Sequence, residues 1–112
     1  MALELRRGDL ITVAISGDYG KPRPALVIQS NSFLPHESIV VALITSQIRD
    51  FVPIVRITVD PSPANGLRVR SQVTLDKLLT IPTAKAGKVI GRMDQATMAE
   101  VNQGLFAFLN ID

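Results

Sequence analysis

Short runs of apolar, β-branched residues recur along the first half of the chain, separated by polar segments that contain proline or glycine. Runs of about four to eight such residues are typical of buried strands. The pattern predicts strands at residues 9–15, 25–30, 39–45 and 53–59. No segment with helical periodicity lies between any two of them, which disfavours parallel crossovers and predicts antiparallel pairing.

The segment after the fourth run predicts a hairpin. An Asn-Gly pair at residues 65–66 tolerates positive φ, which favours a turn into a strand at residues 67–75. In that strand Arg68, Arg70 and Gln72 alternate with less polar residues, so one face is expected to carry the cations together with Gln72. The stretch that follows is interrupted by proline and glycine and predicts one short strand around residues 88–90.

Helical periodicity is confined to the C-terminal part of the chain. Asp94 is a good N-cap residue, and apolar residues recur at helical spacing from Met98 onwards. Gly104 interrupts that pattern and costs about 1 kcal/mol relative to alanine. We therefore expect a single, mainly β domain over residues 1–112, with five or six antiparallel strands in a closed or half-closed sheet and one helix near residues 94–109.

Composition and charge narrow the class of protein. The 112 residues are 46% hydrophobic, which is enough for a single hydrophobic core. The sequence has no cysteine, which excludes disulfides and metal sites with thiolate ligands. Because the sequence has neither a membrane-length apolar run nor a signal peptide, we expect a soluble, cytoplasmic protein. Residues 66–92 contain six cations and one acid, whereas residues 93–112 contain three acids and no cation. This asymmetry indicates either a basic face for a polyanion or a scattered, solvated surface.

Few of the usual catalytic groups are available. His36 is the one histidine, and it has no partners for a metal site or a catalytic triad. No glycine-rich phosphate loop is present, and aromatic residues make up only 4% of the chain, too few for a base-stacking platform. We therefore expect no metal and no cofactor, and any chemistry must come from arginine, hydroxyl, amide and carboxylate groups.

Those groups suffice for cleaving RNA without a metal. RNA supplies its own 2′-OH nucleophile, so the protein must provide a base, a proton donor for the leaving 5′-oxygen and fixed cations around phosphorus. In the segment GDYGKPRPALVIQS, Pro22 and Pro24 fix the backbone on both sides of Arg23. We expect Arg23 in a stiffened loop at the mouth of a strand, as a bidentate phosphate ligand. The alternative is an edge turn that carries a solvated arginine.

Longer segments of the chain indicate a particular protein family, which the patterns above do not. The chain resembles the MazF/PemK family of toxin endoribonucleases over nearly its whole length. The resemblance rests on RRGDLITVAISGDYGKPRPALVIQS at residues 6–30, VVALITS at 40–46, RSQVTLDKLLTI at 70–81 and the final amphipathic helix.

The resemblance implies a small SH3-like barrel, a homodimer and metal-independent, sequence-specific cleavage of single-stranded RNA such as mRNA, which inhibits translation and growth. It implies products with a 2′,3′-cyclic phosphate and a 5′-OH, and an antitoxin whose flexible acidic tail covers the RNA groove. By matching position, Arg23 and Thr45 are catalytic, and Asp76 and Asp18 are candidate carboxylates. The candidate RNA contacts are Lys21, Ser46, Gln47, Arg68, Arg70 and Lys77.

The chain departs from the family pattern at the positions where the family has its candidate general base and general acid. Thr74 stands where some members have a second catalytic arginine. Leu79 and Pro82 stand where the family pattern has an arginine and an acid. These departures leave the general base and the general acid open, and they leave room for Lys77, Arg70 or Lys85 to hold phosphates.

Two other functions fit the same architecture. CcdB-like toxins poison gyrase by binding it, through a C-terminal helix with exposed aromatic and aliphatic residues; this chain ends in FAFLNID and has no tryptophan. The other alternative is a non-catalytic RNA-binding module of the same ancestry. In that case Thr45 would only cap its own backbone, and Asp76 would pair with Lys77.

Overall fold

A computed structural model describes residues 4–14 and 21–111. These residues form a six-stranded antiparallel sheet followed by one helix, which confirms the predicted fold class. The elements are β1 (Asp9–Ala14), β2 (Pro22–Val27), β3 (Ser38–Thr45), β4 (Arg56–Val59), β5 (Ser71–Pro82), β6 (Ala86–Arg92) and α1 (Gln95–Leu109). None of the helices within the described ranges is long and apolar enough to cross a membrane.

The strands lie in the order β4-β5-β3-β2-β1-β6, and the two outer strands are not paired with each other in the described part of the chain. The sheet is therefore open rather than a closed barrel. Its most important irregularity is between β3 and β5, where Ala42 pairs with Leu78 but the next residue, Leu43, pairs with Thr74. Residues 75–77 have no partner in β3, and such a bulge redirects the side chains that it carries.

Apolar side chains are buried on both faces of the sheet, which explains why the strands have nearly continuous apolar sequences. Leu10 and Leu26 belong to a cluster that Val101 of α1 covers. Ile11 and Val27, the next residue in each strand, belong to a second cluster. Because successive side chains point to opposite faces, β1 and β2 each contribute to both clusters.

The second strand begins earlier than its sequence predicts. β2 starts at Pro22, so Arg23 lies within the strand, opposite Val13 of β1. The prediction of a stiffened loop around Arg23 is therefore wrong. A strand tolerates proline where a backbone N–H has no partner, and β2 pairs with β3 only from Ala25 onwards. The stretch that contains Pro24 is thus paired on the β1 side alone.

The connection between β4 and β5 is longer than the predicted turn, since residues 60–70 lie between these strands. Arg68 and Arg70 are therefore in a loop and not on a strand face, contrary to the prediction. The loop packs against β6: Gly66 has a φ of +72°, and a Cβ added to it would lie 2.1 Å from the carbonyl oxygen of Ile90. This close packing keeps the loop out of the β-ladder.

Strand lengths differ from the predicted ones in two further places. β4 begins at Arg56 rather than at residue 53, and β5 continues to Pro82. The single short strand expected around residues 88–90 is the longer β6, which pairs with β1 through two register shifts. Such shifts allow a strand to contain glycines without losing its partner.

The helix begins as the sequence predicts. The Asp94 carboxylate accepts hydrogen bonds from the backbone N–H of Thr97 (3.1 Å) and from its hydroxyl (2.7 Å). These bonds hold the pKa of Asp94 below its usual range. Val101 is buried against the sheet, whereas Phe108 and Leu109 in the last turn are exposed.

The start of the chain is tied to the helix by charged groups. Arg7 donates through Nη2 to Oδ1 of Asn102 (2.7 Å) and through Nε to the carbonyl oxygen of Ile28 (2.9 Å). Burial lowers the pKa of this guanidinium. Asp9 accepts a 2.7 Å bond from Arg92 in an ion pair. The RRGD segment therefore has a structural role in this chain.

Candidate functional site

Two adjacent clefts share Arg23, and we call them together the basic groove. The first has a volume of about 380 Å³ and lies between the end of β3, the bulge of β5, the start of β4 and the loop after β3. The second has a volume of about 620 Å³ and lies between the start of β2 and the 66–69 loop. The groove is lined by one carboxylate, Asp76, and by six cationic residues: Lys21, Arg23, Arg49, Arg56, Arg68 and Lys77.

Sheet register brings Arg23 and Thr45 together. β2 and β3 pair Ala25 with Leu43, and Arg23 and Thr45 lie two residues further along these two strands. Because side chains alternate, residues two apart point to the same face, so both project from one side of the sheet. Both line the first cleft, with Arg23 exposed and Thr45 half-buried.

Thr45 caps the turn that follows its own strand. Its Oγ1 accepts a 3.1 Å hydrogen bond from the backbone N–H of Gln47. A hydroxyl that accepts one bond still has its own proton to donate. The capping role expected of a merely structural threonine is therefore present, and it orients the hydroxyl without using up its donor.

The bulge in β5 carries Asp76 and Lys77 into the first cleft. Both side chains are exposed, and no ion pair joins them to each other. Gln47 lines the same cleft, whereas Lys21, Ser46 and Arg68 line the second. The structure thus brings together most of the side chains selected from the sequence.

Two of the sequence candidates lie elsewhere in the structure. Arg70 lines neither cleft and instead pairs with Asp60 at 3.2 Å on the surface. Lys85 is in a short 3-10 turn before β6 and also lines neither cleft. Asp18 falls outside the described residues. Across residues 4–14 and 21–111, no group of three His, Cys, Asp or Glu side chains is close enough to hold a metal ion.

A buried amide organises the loop beside Thr45. Gln72 is 1% exposed, and its Oε1 accepts from the backbone N–H of Arg49 and from Nε of Arg56, both at 3.0 Å. Its Nε2 donates to the carbonyl oxygen of Arg49 (3.0 Å) and to the Thr58 hydroxyl (3.1 Å). Arg56 donates through Nη2 to the carbonyl oxygen of Gln47 at 3.1 Å. Two buried side chains thus fix the backbone of the 46–51 loop.

Sequence reasoning missed three of the residues that line the first cleft. Arg56 and Arg49 are cations outside the segments that the sequence singled out, and Phe51 is an aromatic side chain that is 70% exposed. The sequence also placed Gln72 on the exposed, cationic face of its strand, whereas it is buried. The available signals were a charged residue inside the apolar run PIVRITV and an amide inside SQVTL.

The comparisons with known proteins agree with this fold. Residues 6–109 match the model of the family described as PemK-like, MazF-like toxin of type II toxin-antitoxin system. This chain belongs to that family. It is 38% identical over 108 residues to a probable endoribonuclease MazF of Mycolicibacterium smegmatis, an alignment that covers 96% of this chain and 98% of the relative.

Solved structures of related proteins have the same fold. The Mycobacterium tuberculosis toxin MazF-mt6 superposes with a TM-score of 0.78 at 25% identity, over 93% of this chain and 98% of that one. A mycobacterial endoribonuclease in complex with its cognate antitoxin superposes with a TM-score of 0.80 at 20% identity, over 96% and 97%. The MazE–MazF complex of Deinococcus radiodurans gives 0.78 at 18% identity, over 98% and 99%.

Proposed function

We propose that this MazF-like toxin endoribonuclease cleaves single-stranded RNA in the basic groove and needs no metal ion to do so. The observation that supports this best is the meeting of Arg23 and Thr45 in the basic groove, whose two clefts are lined by six cationic residues and one carboxylate. Such a surface attracts a polyanion, because its field raises the local concentration of phosphate groups. It also holds fixed donors where the charge of a phosphorane develops.

The reaction is an internal transesterification. The 2′-oxygen bonds to the adjacent phosphorus and loses its proton to a base, while the P–O5′ bond breaks and the 5′-oxygen takes up a proton. Arg23 neutralises charge on the non-bridging oxygens, since its planar fork binds two of them at once. The Thr45 hydroxyl donates to the same phosphate. Asp76 is the carboxylate of the described groove, and we assign it the 2′-OH proton.

Recognition of the RNA involves the remainder of the groove. Lys21, Ser46 and Arg68 in the second cleft contact neighbouring phosphates and sugars, and Gln47 and Phe51 contact bases. Exposed aromatic side chains stack on unpaired bases, which favours a single strand over a duplex. Sequence preference in mRNA then follows from the loop that carries Gln47 and Phe51, and cleavage there would block translation and growth.

The same surface suits a regulatory partner. One structural relative is a mycobacterial endoribonuclease in complex with its cognate antitoxin. For this chain we propose a homodimer and a cognate antitoxin whose flexible, acidic segment occupies the groove and excludes RNA. Because both ligands use the same cations, both affinities weaken as the salt concentration rises. Because mRNA and such an antitoxin are found in the cytoplasm, we propose that the protein acts there.

One assay separates this function from its two alternatives. The purified protein is incubated with a long RNA of mixed sequence and, in parallel, with gyrase and relaxed plasmid. We expect discrete RNA fragments and unchanged supercoiling. Inhibited supercoiling with intact RNA would instead identify a gyrase poison. RNA that is bound but not cut, by a folded protein, would identify a non-catalytic binding module.

A further inference from the structure

Arg56 is the one arginine of the groove that is almost fully buried, with an exposed fraction of 7%. It lies at the start of β4, directly opposite Thr74 of β5. Within the described ranges its hydrogen-bond acceptors are neutral, and it has no carboxylate partner. A buried charge without a counter-ion is costly and is rarely retained unless it interacts with something else.

One nitrogen of this guanidinium remains available. Nε donates to Gln72 and Nη2 to the carbonyl oxygen of Gln47, which leaves Nη1 without an acceptor among residues 4–14 and 21–111. In this part of the chain, every side-chain nitrogen or oxygen that is buried away from solvent has a hydrogen-bond partner. Nη1 is therefore accessible, and the surface that Arg56 lines is the first cleft.

The guanidinium is also rigid. Gln72 makes four hydrogen bonds, of 3.0 to 3.1 Å, and one of them fixes Nε of Arg56. A fixed donor in a partly water-excluded site does not have to reorganise when charge develops, and this makes it effective in a transition state. A flexible surface lysine such as Lys77 pays more entropy for the same contact.

We propose that Arg56 is a catalytic residue that contacts the phosphate undergoing cleavage and supplies, from β4, a second fixed cation besides Arg23. The proposal rests on the proposed function and deepens it. Thr74, where some members of the family have an arginine, faces Arg56 across the β4–β5 pair. Arg56 would thus supply from β4 the charge that those members supply from β5. The phosphate in turn is the counter-ion that the buried guanidinium lacks.

Three variants test this contact. Arg56→Met removes the charge and keeps an unbranched stem, and Arg6→Met is the matched control, since Arg6 is exposed near the opposite end of β1 from Arg23. Gln72→Glu leaves Arg56 in place but gives it a carboxylate partner. Thermal melting establishes folding for each variant. Cleavage of a short RNA is measured in excess EDTA, and binding is measured with the same RNA 2′-deoxy at the cleaved nucleotide.

We expect kcat/KM to fall about 10²-fold to 10³-fold for Arg56→Met and to fall also for Gln72→Glu, with Arg6→Met unchanged. The slope of log K against log salt should become shallower by about 0.7 for Arg56→Met, the value for one lost phosphate contact to a single strand. A wild-type slope with reduced cleavage would make Arg56 only a positioning residue for the 46–51 loop and would overturn the proposal.

Failure of this proposal is distinct from failure of the proposed function. If the wild type cleaves RNA but folded Arg56→Met retains kcat/KM within about threefold, the contact is wrong and the nuclease stands. If Arg56→Met does not fold, Gln72→Glu decides: wild-type cleavage by that variant would contradict a catalytic charge at Arg56. If the wild type does not cut RNA at all, the proposed function is wrong and this proposal is wrong with it.

Discussion

Arg23 shows how a strand can present a charged side chain with little backbone freedom. Its main chain is held by pairing with Val13, and proline on each side restricts the neighbouring dihedral angles. Its side chain nevertheless stays exposed in the groove, outside both apolar clusters. The residue therefore combines a fixed origin with an accessible guanidinium, and this is what the stabilisation of a phosphorane requires.

Replacing Arg23 with alanine should affect chemistry and leave folding intact. We expect kcat/KM for RNA cleavage to fall about 10²-fold to 10³-fold, because one preorganised donor is lost. Arg23→Lys should recover only part of this loss, since lysine has no planar fork. Steady-state cleavage rates check the first effect and thermal melting the second. Activity within about threefold of wild type, or an unfolded variant, would refute the electrostatic role.

The residues of the site differ in how far the sequence could reveal them. Arg23 and Thr45 are found by resemblance, because each lies in a recognisable segment, but their meeting depends on the β2–β3 register. Arg56 lies outside the recognisable segments, and Gln72 lies in one without a role assigned by the resemblance. Their burial together is set by β4 pairing with β5. Buried polar networks depend on tertiary packing, which the spacing of apolar residues along the sequence does not reveal.

At the scale of elements, glycine in α1 is explained by packing and not by helix propensity. A Cβ added at Gly104 would lie 2.4 Å from the carbonyl oxygen of Ile54 and 2.4 Å from Cδ1 of Leu75. Leu75 directly precedes Asp76 in the bulge of β5. The close approach of helix and sheet at Gly104 therefore supports the strand that carries Asp76, the candidate general base.

Gly104→Ala should destabilise the protein although alanine is the better helix former. The gain in helix propensity is about 1 kcal/mol, whereas overpacking against a backbone carbonyl costs about 1–3 kcal/mol. Gln103→Ala, at the exposed neighbouring position, is the matched control and should leave stability unchanged or slightly raised. Urea unfolding measures both. A higher midpoint for Gly104→Ala would show that the helix has room to move away from the sheet.

The N-cap of α1 should make stability depend on pH in the acid range. The bonds from Thr97 lower the pKa of Asp94 in the folded state relative to the unfolded state. The cap therefore contributes its full stability above the unfolded pKa of about 3.9 and loses it as pH falls through the lower, folded pKa. Asp94→Asn keeps an acceptor oxygen but does not titrate.

The melting temperatures of wild type and Asp94→Asn should therefore differ most at neutral pH and converge as the pH falls below about 4. Melting curves recorded at matched ionic strength test this, and the titration of the other acids cancels in the comparison. A difference that stays constant between neutral and acid pH would mean that the charge of Asp94 plays no part in the cap.

Element types were more predictable than element boundaries, for identifiable reasons. The sequence of α1 has both an N-cap residue and apolar residues at helical spacing, and the helix begins where these predict. Arg23 was expected in a loop because proline usually ends strands, and only one-sided pairing permits it in β2. Arg68 and Arg70 alternate as in a strand, but the contact of Gly66 with β6 holds them in a loop.

At the scale of the whole molecule, the groove joins segments that are distant in the sequence. The start of β2, the end of β3, the start of β4 and the bulge of β5 meet because the strand order places β3 between β2 and β5. The charge asymmetry of residues 66–92 is only partly a property of this groove. Arg68 and Lys77 line it, whereas Arg92 pairs with Asp9 elsewhere.

The central claim is that the 2′-OH of the RNA is the nucleophile and that the basic groove supplies everything else. The most direct measurement compares two synthetic RNAs in excess EDTA, identical except that one is 2′-deoxy at the cleaved nucleotide. We predict that the all-RNA strand is cut to a 2′,3′-cyclic phosphate and a 5′-OH, while the 2′-deoxy strand is bound but stays intact. Equal cleavage of both strands, or activity lost with EDTA and restored by Mg²⁺, would contradict the account.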